Sequence, residues 1–227
     1  ADYIDWVKNK DITRMQKIQK RQVYNKYQLN ETQLQKHPMD MFVQWFEEAE
    51  AHSTVSEHYT MSVSTVDADN CPRTRIVLLK EYSSEGFVFY TNYDSRKGKS
   101  LSVNNKACLH FFWPDMQRQV IIKAILEKVP AEQSDQYFAE RPRGSQLGAH
   151  VSPQSEIIPN REFLSEKFKQ LNKVFEGKAI PRPDNWGGFL AKPYEIEFWQ
   201  GRENRLHDRI LYSLNDAGKW GFVRLAP

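Results

Sequence analysis

Hydrophobic side chains recur at two different spacings along the chain, and each spacing predicts a different kind of element. Residues 37–51 have a helical period, and Asp40 is the candidate N-cap of that helix. Its predicted apolar face consists of Met41, Phe42, Trp45, Phe46 and Ala49. Residues 159–177 predict a second amphipathic helix, which ends at Gly177. Its apolar stripe consists of Phe163, Leu164, Phe168, Leu171, Val174 and Phe175.

Most other apolar runs are short, rich in β-branched and aromatic residues, and bounded by turn residues, which is typical of strands. The predicted strands are 59–66, 73–80, 86–91, 107–113, 117–129, 194–200, 207–213 and 219–225. Turn-forming residues between the first three favour two hairpins in succession, and an Asn-Asp-Ala-Gly turn joins the last two. Two short helices are expected over 95–105 and 130–142, the second opened by Pro130 and stopped near Pro142.

This order of elements predicts a mainly β fold with helices, in the α+β class. Seven or eight short strands, mostly joined by hairpins, favour a closed or nearly closed antiparallel barrel with peripheral helices. No composition shift divides the chain into halves. We therefore expect one domain over residues 36–227, preceded by a basic extension over residues 1–35 that can be partly ordered.

Composition limits the classes of function. Of the 227 residues, 40% are hydrophobic and 27% are charged, which is an ordinary globular balance. No apolar run approaches the ~20 residues that a membrane helix needs, so we expect no membrane contact. Cys71 and Cys108 form no C-x-x-C pair, which argues against a metal site and favours a reducing compartment. The expected location is cytoplasmic.

The net charge of +3 permits an anionic ligand and does not call for a nucleic acid. Basic residues nevertheless cluster near the start of the chain, at Lys8, Lys10, Arg14, Lys17, Lys20, Arg21 and Lys26. Such a cluster is consistent with a nucleic-acid-binding arm, the remnant of a targeting segment, or a solvated extension. The near-neutral balance of the whole chain favours the extension, and we expect no nucleic-acid partner.

The segment from Glu195 to Ile210 carries a tryptophan, three arginines and a histidine between two apolar ends. If it is extended from Arg205 onward, one face carries Arg205, His207 and Arg209, and the other carries Leu206, Asp208 and Ile210. Two guanidinium groups beside an imidazole repel one another. Either an anionic ligand or a carboxylate of Asp208 or Glu203 would offset that repulsion.

Two further basic clusters are candidates for anion binding. Tyr137 and Arg141 share a helix face, and Arg143, Gly144 and Ser145 are expected to follow in a turn that either holds a phosphate or forms a loop salt bridge. Arg75 and Lys80 stand at opposite ends of an apolar strand, and a basic Ser-Arg-Lys-Gly-Lys segment follows at 95–99. Three clusters in one chain suggest two phosphates or one dinucleotide.

Several common sites are excluded by the absence of their motifs. The chain has neither the G-x-G-x-x-G of a Rossmann site nor the G-x-x-x-x-G-K-[ST] of a P-loop. No Ser-His-Asp order is supported, and the six histidines have no metal-ligand spacing. A phosphate site in this chain must therefore be assembled in another way.

A series of longer motifs resembles the pyridoxine/pyridoxamine 5′-phosphate oxidases. In family order these are RIVLLK, FYTN with SRKGK, RQV, YFAERPRGSQLGA, QS, WGG, EFWQGRENRLHDR and a closing RLAP, from about residue 38 to the C-terminus. The resemblance implies an FMN-dependent homodimer on a split β-barrel, with each flavin held at the subunit interface. It implies oxidation of pyridoxine or pyridoxamine 5′-phosphate at C4′ to pyridoxal 5′-phosphate, with O₂ as electron acceptor and H₂O₂ as product.

The resemblance also assigns site residues. The expected FMN contacts are Arg75, Ile76, Val77, Leu78, Leu79, Lys80, Tyr90, Thr91, Arg96, Lys97, Gln119, Gln154, Ser155, Trp199 and Arg209. The expected contacts to the substrate phosphate are Lys80, Tyr137, Arg141 and Ser145, and those near the substrate ring are Arg205, Leu206 and His207. Arg205 and His207 are the candidate catalytic residues, and His207 either takes a proton from the substrate or only positions its ring.

Two points remain open from the sequence. A split-barrel protein that carries FMN or pyridoxal phosphate without catalysis is the alternative, and the intact substrate set counts against it. The chain also has His150 where the family usually has an apolar or aromatic residue. Gln154 and Ser155 beside it are intact, so flavin binding is still expected.

Overall fold

The computed structural model describes residues 22–52 and 54–227. In these ranges the α-helices are α1 Pro38–Ala51, α2 Arg96–Val103, α3 Ala131–Glu140, α4 Arg143–Val151 and α5 Arg161–Val174. The strands are β1 Thr60–Val66, β2 Pro72–Leu78, β3 Glu81–Ser83, β4 Gly86–Asn92, β5 Lys106–Trp113, β6 Arg118–Lys128, β7 Trp186–Gln200, β8 Asp208–Leu214 and β9 Trp220–Leu225. Short 3₁₀ turns lie at Glu31–Gln33, Pro114–Met116 and Glu203–Arg205.

All nine strands join one antiparallel sheet, and β7 is the strand that divides it. The order is β2-β1-β5-β6-β7-β4-β3, with β8 on β7 and β9 on β8. The first half of β7 pairs with β4, its second half pairs with β8, and β6 follows its other edge through a register shift after Lys123. Because one long strand changes neighbours halfway, the sheet separates into two lobes. The prediction of a mainly β, antiparallel barrel-like fold is confirmed.

Helix α1 fills the interior of the sheet with the face that the sequence predicts. Met41, Phe42, Trp45, Phe46 and Ala49 are all buried in the main core. The Phe42 ring packs against aromatic rings of β4 and β5 at centroid distances of 4.8 and 5.3 Å. Each buried phenyl ring removes a large apolar area from water, so this face holds the helix in place.

The N-cap of α1 is His37 rather than Asp40. The His37 Nδ1 accepts a hydrogen bond from the backbone N–H of Met39, and Pro38 occupies the first helical position. Proline is favoured there because its missing N–H would have no helical partner. Asp40 lies in the first turn, where its charge still complements the helix dipole.

Several predicted boundaries differ from the structure by a few residues, and three larger differences concern whole elements. The predicted strand 73–80 ends at Leu78, so the second hairpin is formed by β3 and β4. The predicted strand 194–200 is only the second half of β7. Residues 143–151, expected to begin with a turn, form α4, whose Leu147 and Val151 are buried.

The apolar stripe predicted for residues 159–177 belongs to α5, but it is only partly covered. No residue of α5 is fully buried, and Phe168 and Val174 are exposed. Leu171 and Phe175 pack against a small second core that contains Phe138 and Trp186. The main contact of the helix is with α4, so its stripe has less surface to bury against.

Residues 22–35 lie against the C-terminal strands. Leu29 is buried, and its backbone N–H donates to the Asp208 carboxylate at 3.0 Å. The Tyr212 hydroxyl donates to the Gln35 carbonyl at 2.7 Å. Of the predicted basic cluster, only Lys26 falls in this segment, and the other six residues lie outside the described residues.

In the described part of the chain, none of the helices combines the length and the apolar character that spanning a membrane would require.

Candidate functional site

A cleft of about 850 Å³ opens between β2, β4, α2 and the junction of α3 with α4. The predicted site residues that line it are Arg75, Ile76, Val77, Leu78, Lys80, Tyr90, Thr91, Arg96, Lys97, Tyr137, Arg141, Ser145, Gln154 and Ser155. Arg73, Thr74, Pro142 and Trp186 complete the lining. The structure therefore brings the predicted flavin strand and the predicted phosphate cluster into one cavity.

The cleft is strongly cationic. Among residues 22–52 and 54–227, its lining includes the cations of Arg73, Arg75, Lys80, Arg96, Lys97 and Arg141, and no carboxylate. Within the described residues, Arg73 alone among these cations has a carboxylate partner, the Asp67 side chain at 2.8 Å. Charges gathered in this way repel one another, and an anion in the cleft would remove that repulsion.

Lys97 is the most buried of these cations, with 8% of its surface exposed. It stands in the first turn of α2, and its Nζ donates to Thr91 Oγ1 at 2.7 Å and to Gln154 Oε1 at 2.8 Å. Burial, and then the charge of Arg75, lowers the Lys97 pKa to about 8. In the part of the chain that the structure describes, the ammonium has only neutral oxygens as hydrogen-bond partners, so it can stabilise a bound anion.

Arg75 is half-buried and incompletely satisfied. Its Nη1 donates to the Val63 carbonyl at 3.1 Å and to Thr65 Oγ1 at 2.8 Å. Its Nη2 is buried without an acceptor in the described residues. Burial lowers the pKa of the guanidinium, and the charge of Asp67 only partly opposes that shift. A buried donor without an acceptor is costly, which indicates a group that a ligand completes.

The start of α4 changes the electrostatics expected for the Arg141 cluster. Pro142 is the N-cap of α4 and Ser145 lies in its first turn, and both line the cleft. The predicted turn would have presented the negative end of α3 to an anion. The end of α3 is still present at Glu140, but α4 begins directly after it and adds a positive N-terminal end, which favours an anion.

Leu79 is the one residue of the predicted flavin strand that does not line the cleft. Its side chain is 4% exposed and belongs to the main core. The predicted FMN contact at Leu79 stays a prediction that the position of its side chain does not support.

Gln119, Trp199 and Arg209 form a second group on the sheet surface. They are neighbours across β6, β7 and β8, where Gln119 is opposite Trp199 and Trp199 is opposite Arg209. None of them lines the cleft of the same protomer. Within one protomer the predicted flavin contacts are therefore split between the cleft and this surface.

Arg205, Leu206 and His207 lie in the turn before β8 and not on an extended strand. Asn204 and Arg205 both have positive φ, at 54° and 62°. The predicted common face of Arg205, His207 and Arg209 is therefore wrong, because the strand begins only at Asp208. Two consecutive left-handed residues are strained, and such strain is typical of functional turns.

Asp208 was a candidate to offset the charges of Arg205 and Arg209, but its carboxylate pairs with other arginines. Asp208 accepts from Arg202 at 3.1 Å and from Arg224 at 2.8 Å. Arg209 is neutralised by both oxygens of Glu197, at 2.7 and 3.1 Å. In the described residues no carboxylate pairs with Arg205, which leaves its charge available to a ligand.

The His207 ring is held in one tautomer. Its Nδ1 accepts a hydrogen bond from the backbone N–H of Arg202 at 3.0 Å, so the neutral ring carries its proton on Nε2. Burial, and then the charge of Arg205, lowers the His207 pKa. The ring lies 4.5 Å from that of Trp199. At neutral pH, His207 therefore offers a hydrogen-bond donor at Nε2.

Tyr24 is a residue of this region that sequence reasoning missed. Its ring lies 6.1 Å from Trp199 and 6.0 Å from His207. A Cβ at Gly201 would approach within 2.8 Å of the Tyr24 ring, so glycine permits the contact. The partners are far apart in sequence, and no local pattern signals the contact.

His150 lies away from the cleft lining. The His150 Nε2 and the Pro181 carbonyl oxygen are 2.7 Å apart, and the ring faces Phe138 and Phe175. The departure from the family pattern therefore affects the packing of α4 and not the cleft surface.

Comparisons with known proteins agree with the family that the sequence motifs resemble. The family model described as pyridoxamine 5′-phosphate oxidase matches residues 47–175. The model of the pyridoxine 5′-phosphate oxidase C-terminal dimerisation region matches residues 186–227, which supports a homodimer.

Two relatives named pyridoxine/pyridoxamine 5′-phosphate oxidase match nearly the whole chain. The protein from Flavobacterium johnsoniae is 52% identical over 206 residues, which cover 91% of this chain and 96% of that protein. The protein from Polynucleobacter asymbioticus is 48% identical over 209 residues, covering 92% and 98%.

Solved structures support the fold. PhzG from Burkholderia lata, in complex with tetrahydrophenazine-1-carboxylic acid, superposes with a TM-score of 0.80 at 25% identity, covering 86% of this chain and 95% of that chain. An FMN-binding protein from Nostoc punctiforme related to pyridoxamine 5′-phosphate oxidase has a TM-score of 0.68 at 15% identity, over 86% of this chain and 100% of its own. The fold and the cationic cleft thus define an antiparallel split-barrel protein of the oxidase class. The chain belongs to the pyridoxine/pyridoxamine 5′-phosphate oxidase family and is an enzyme of that family.

Proposed function

We propose that the protein uses FMN to oxidise pyridoxine or pyridoxamine 5′-phosphate to pyridoxal 5′-phosphate, with O₂ as the final acceptor and H₂O₂ as product. The observation that carries this proposal is the cleft, whose lining by the described residues has six cations and no carboxylate. Both expected ligands carry a phosphate, and the cleft has enough cations for two. The names of the relatives support the choice of substrate.

The FMN phosphate fits the part of the cleft around α2. Arg75, Arg96 and Lys97 would bind it, because Arg75 Nη2 lacks an acceptor and Lys97 has only neutral partners. Thr91 and Gln154 hold the Lys97 ammonium in place, and Ser155 lies beside them in the lining. When bound, FMN supplies the hydride acceptor, which is chemistry that protein side chains lack.

The substrate phosphate fits the other end of the cleft. Lys80, Tyr137, Arg141 and Ser145 would bind it at the N-terminal end of α4. Charge-assisted bonds from two cations and two hydroxyls fix one end of the substrate, so that C4′ is held in a reactive position. The intact set favours a catalyst over a protein that only carries FMN or pyridoxal phosphate.

We further propose that a partner protomer completes the site. Gln119, Trp199, Arg205, His207 and Arg209 are predicted ligand contacts, yet none lines the cleft of their own protomer. The outward face of the sheet also leaves Ile76 and Phe112 half-exposed or more. A second copy on this face would cover those side chains and bring the turn at Arg205 to the cleft. The match of residues 186–227 to a dimerisation region supports the arrangement.

The direct test is oxygen uptake by the purified protein with added FMN. We expect a yellow protein that consumes O₂ with pyridoxine 5′-phosphate and forms H₂O₂. Unphosphorylated pyridoxine should have a specificity constant at least about 100-fold lower, because charge-assisted bonds of about 1.5–3 kcal/mol each are lost. A protein that binds FMN without oxygen uptake would be the non-catalytic carrier. Equal specificity constants for the two compounds would contradict the phosphate assignment.

For His207 we propose a donor role at Nε2 rather than proton abstraction. The tautomer set by the Arg202 N–H leaves Nε2 protonated and unable to accept a proton. A glutamine amide can donate from a similar position but cannot act as a base.

We therefore expect His207→Gln to keep kcat/KM within about tenfold of wild type, whereas His207→Ala loses more. The measurement is steady-state oxygen uptake at neutral pH. If His207 were the general base, both variants would fall together by about 10²–10⁴-fold.

The domain limits and the cytoplasmic location stay predictions. A single domain over residues 36–227 is supported by β7, which starts the C-terminal region and pairs with β4 and β6 of the preceding one.

A further inference from the structure

Arg141 is a half-buried cation with very few partners. Its side chain makes no salt bridge to the described residues, and its Nη1 is buried without a hydrogen-bond acceptor. Burial lowers the pKa of the guanidinium. A long, mobile side chain in this position needs some other contact to keep it aimed at the cleft.

The ring of Trp186 provides that contact. The guanidinium carbon of Arg141 lies 4.5 Å from the Trp186 ring centroid, and 5.6 Å from that of Phe138. Indole is the aromatic group that attracts cations most strongly, and guanidinium planes also stack on it. The π face thus partly replaces the missing countercharge.

The same indole belongs to a stack of parallel rings, which we call the aromatic stack: Tyr90, Tyr137 and Trp186. Tyr90 and Tyr137 are 3.9 Å apart at 14°, and Trp186 is parallel to Tyr137 within 3° at 6.2 Å. Gly188 makes room for the aromatic stack, because a Cβ at this position would lie 2.9 Å from the Tyr90 ring. The stack therefore links two predicted phosphate ligands, Tyr137 on α3 and Arg141 directly after it, to one ring at the start of β7.

Trp186 is itself held rigidly. It is 6% exposed, and Arg182 Nη1 donates to its carbonyl oxygen at 2.7 Å. The Arg182 Nε donates to Asp135 on α3 at 2.6 Å, which ties the Trp186 backbone to the helix that carries Tyr137. A ligand-binding side chain is most effective when its neighbours fix its position before the ligand arrives.

We propose that Trp186 is a positioning residue for the substrate phosphate, which acts by holding the Arg141 guanidinium through a cation–π contact. This inference rests on the proposed function, because it assumes that Arg141 binds that phosphate. It predicts that a substitution of Trp186 weakens the binding of phosphorylated ligands and leaves that of unphosphorylated ligands nearly unchanged.

Trp186→Leu should raise KM for pyridoxine 5′-phosphate about 3- to 30-fold while kcat changes little. The specificity constant for unphosphorylated pyridoxine should stay within about twofold, since that compound has no phosphate for Arg141 to bind. Trp186→Phe keeps a smaller π face, so its KM for pyridoxine 5′-phosphate should lie between those of wild type and Trp186→Leu. If the leucine variant does not fold, the phenylalanine variant takes its place in the test.

A double-mutant cycle with Arg141→Met decides between positioning and a merely structural role. If Trp186 acts through Arg141, the double variant loses no more than Arg141→Met alone. Additive losses, or equal losses with phosphorylated and unphosphorylated substrates, would overturn the proposal.

The same cycle can be run without turnover, by titrating the FMN-loaded protein with pyridoxal 5′-phosphate and following its absorbance. This version separates the two proposals. Absence of oxygen uptake by the wild type would remove the proposed function, whereas non-additive binding losses would still support the role of Trp186.

Discussion

Lys97→Met is expected to weaken FMN binding about 10- to 150-fold at pH 7.5, because it removes a charged donor worth about 1.5–3 kcal/mol. Lys97 is buried and bonded to Thr91 and Gln154, so no other cation can take its position. Methionine fills a similar volume without the charge. The measurement is titration of the apoprotein with FMN, followed by the quenching of flavin fluorescence.

The pH dependence of the same titration tests the charge of Lys97 directly. Its pKa in the protein is about 8, and a bound anion favours the protonated form. Above pH 8 the lysine must take up a proton on binding, so the Kd for FMN should rise by up to about tenfold per pH unit. Below pH 8 the ammonium is already formed, and the Kd should be nearly constant. The Lys97→Met variant should lack this rise between pH 7 and 9.5.

Lys99→Met is the matched control. Lys99 lies on the same helix, is exposed, and pairs with Glu156 at 2.7 Å outside the cleft. Its removal takes away the same formal charge, and we expect the Kd to change less than about twofold because exposed charges are screened. A Lys99→Met variant as weak as Lys97→Met would mean that net charge alone governs binding. A wild-type Kd that is flat up to pH 9.5 would contradict the role of Lys97.

Heterodimers of two inactive chains are expected to recover about half of the wild-type activity per dimer, if each site combines two protomers. One chain carries Lys97→Met with Arg141→Met and damages the cleft. The other carries Arg205→Ala with His207→Ala and damages the turn before β8. Different affinity tags allow the mixed dimer to be purified. One of its two sites then has an undamaged cleft and an undamaged turn.

A reversed pairing provides the control. A chain that carries all four changes is paired with a wild-type chain. If each site combines the cleft of one protomer with the turn of the other, one site of that dimer has a damaged cleft and the other has a damaged turn. The dimer should then be nearly inactive. If each site came from one chain, the reversed dimer would keep half of the activity, and the first heterodimer would show no recovery. The two dimers must therefore give opposite results.

Local sequence patterns were sufficient to predict those elements whose structure depends mainly on their own residues. The apolar face of α1 and most of the strands follow from spacing alone, because burial of one face and backbone geometry impose that spacing. The predicted face of α1 is fully buried. The apolar stripe of α5 is equally regular in the sequence, but only part of it is buried by other residues. The spacing of a stripe does not reveal how much protein surface packs against it.

Candidate site residues were found through the family resemblance and through clusters of basic residues. Their grouping could not be predicted, because it depends on which strands become neighbours. Arg75 and Lys97 share a cleft, whereas Trp199 and Arg209 face another surface. The tautomer of His207 also depends on a turn with two left-handed residues, which no spacing rule signals.

By itself, the sequence determined the antiparallel β-rich fold, the family and the kinds of side chain available for phosphate binding. These properties depend on alternation, turn residues and motifs that are local in the chain. Only the tertiary structure decided that α4 presents its positive end to the cleft, that Arg141 rests on Trp186, and that one protomer divides its predicted ligand contacts between two surfaces. Such contacts join residues distant in sequence, and their formation depends on the packing of the whole sheet.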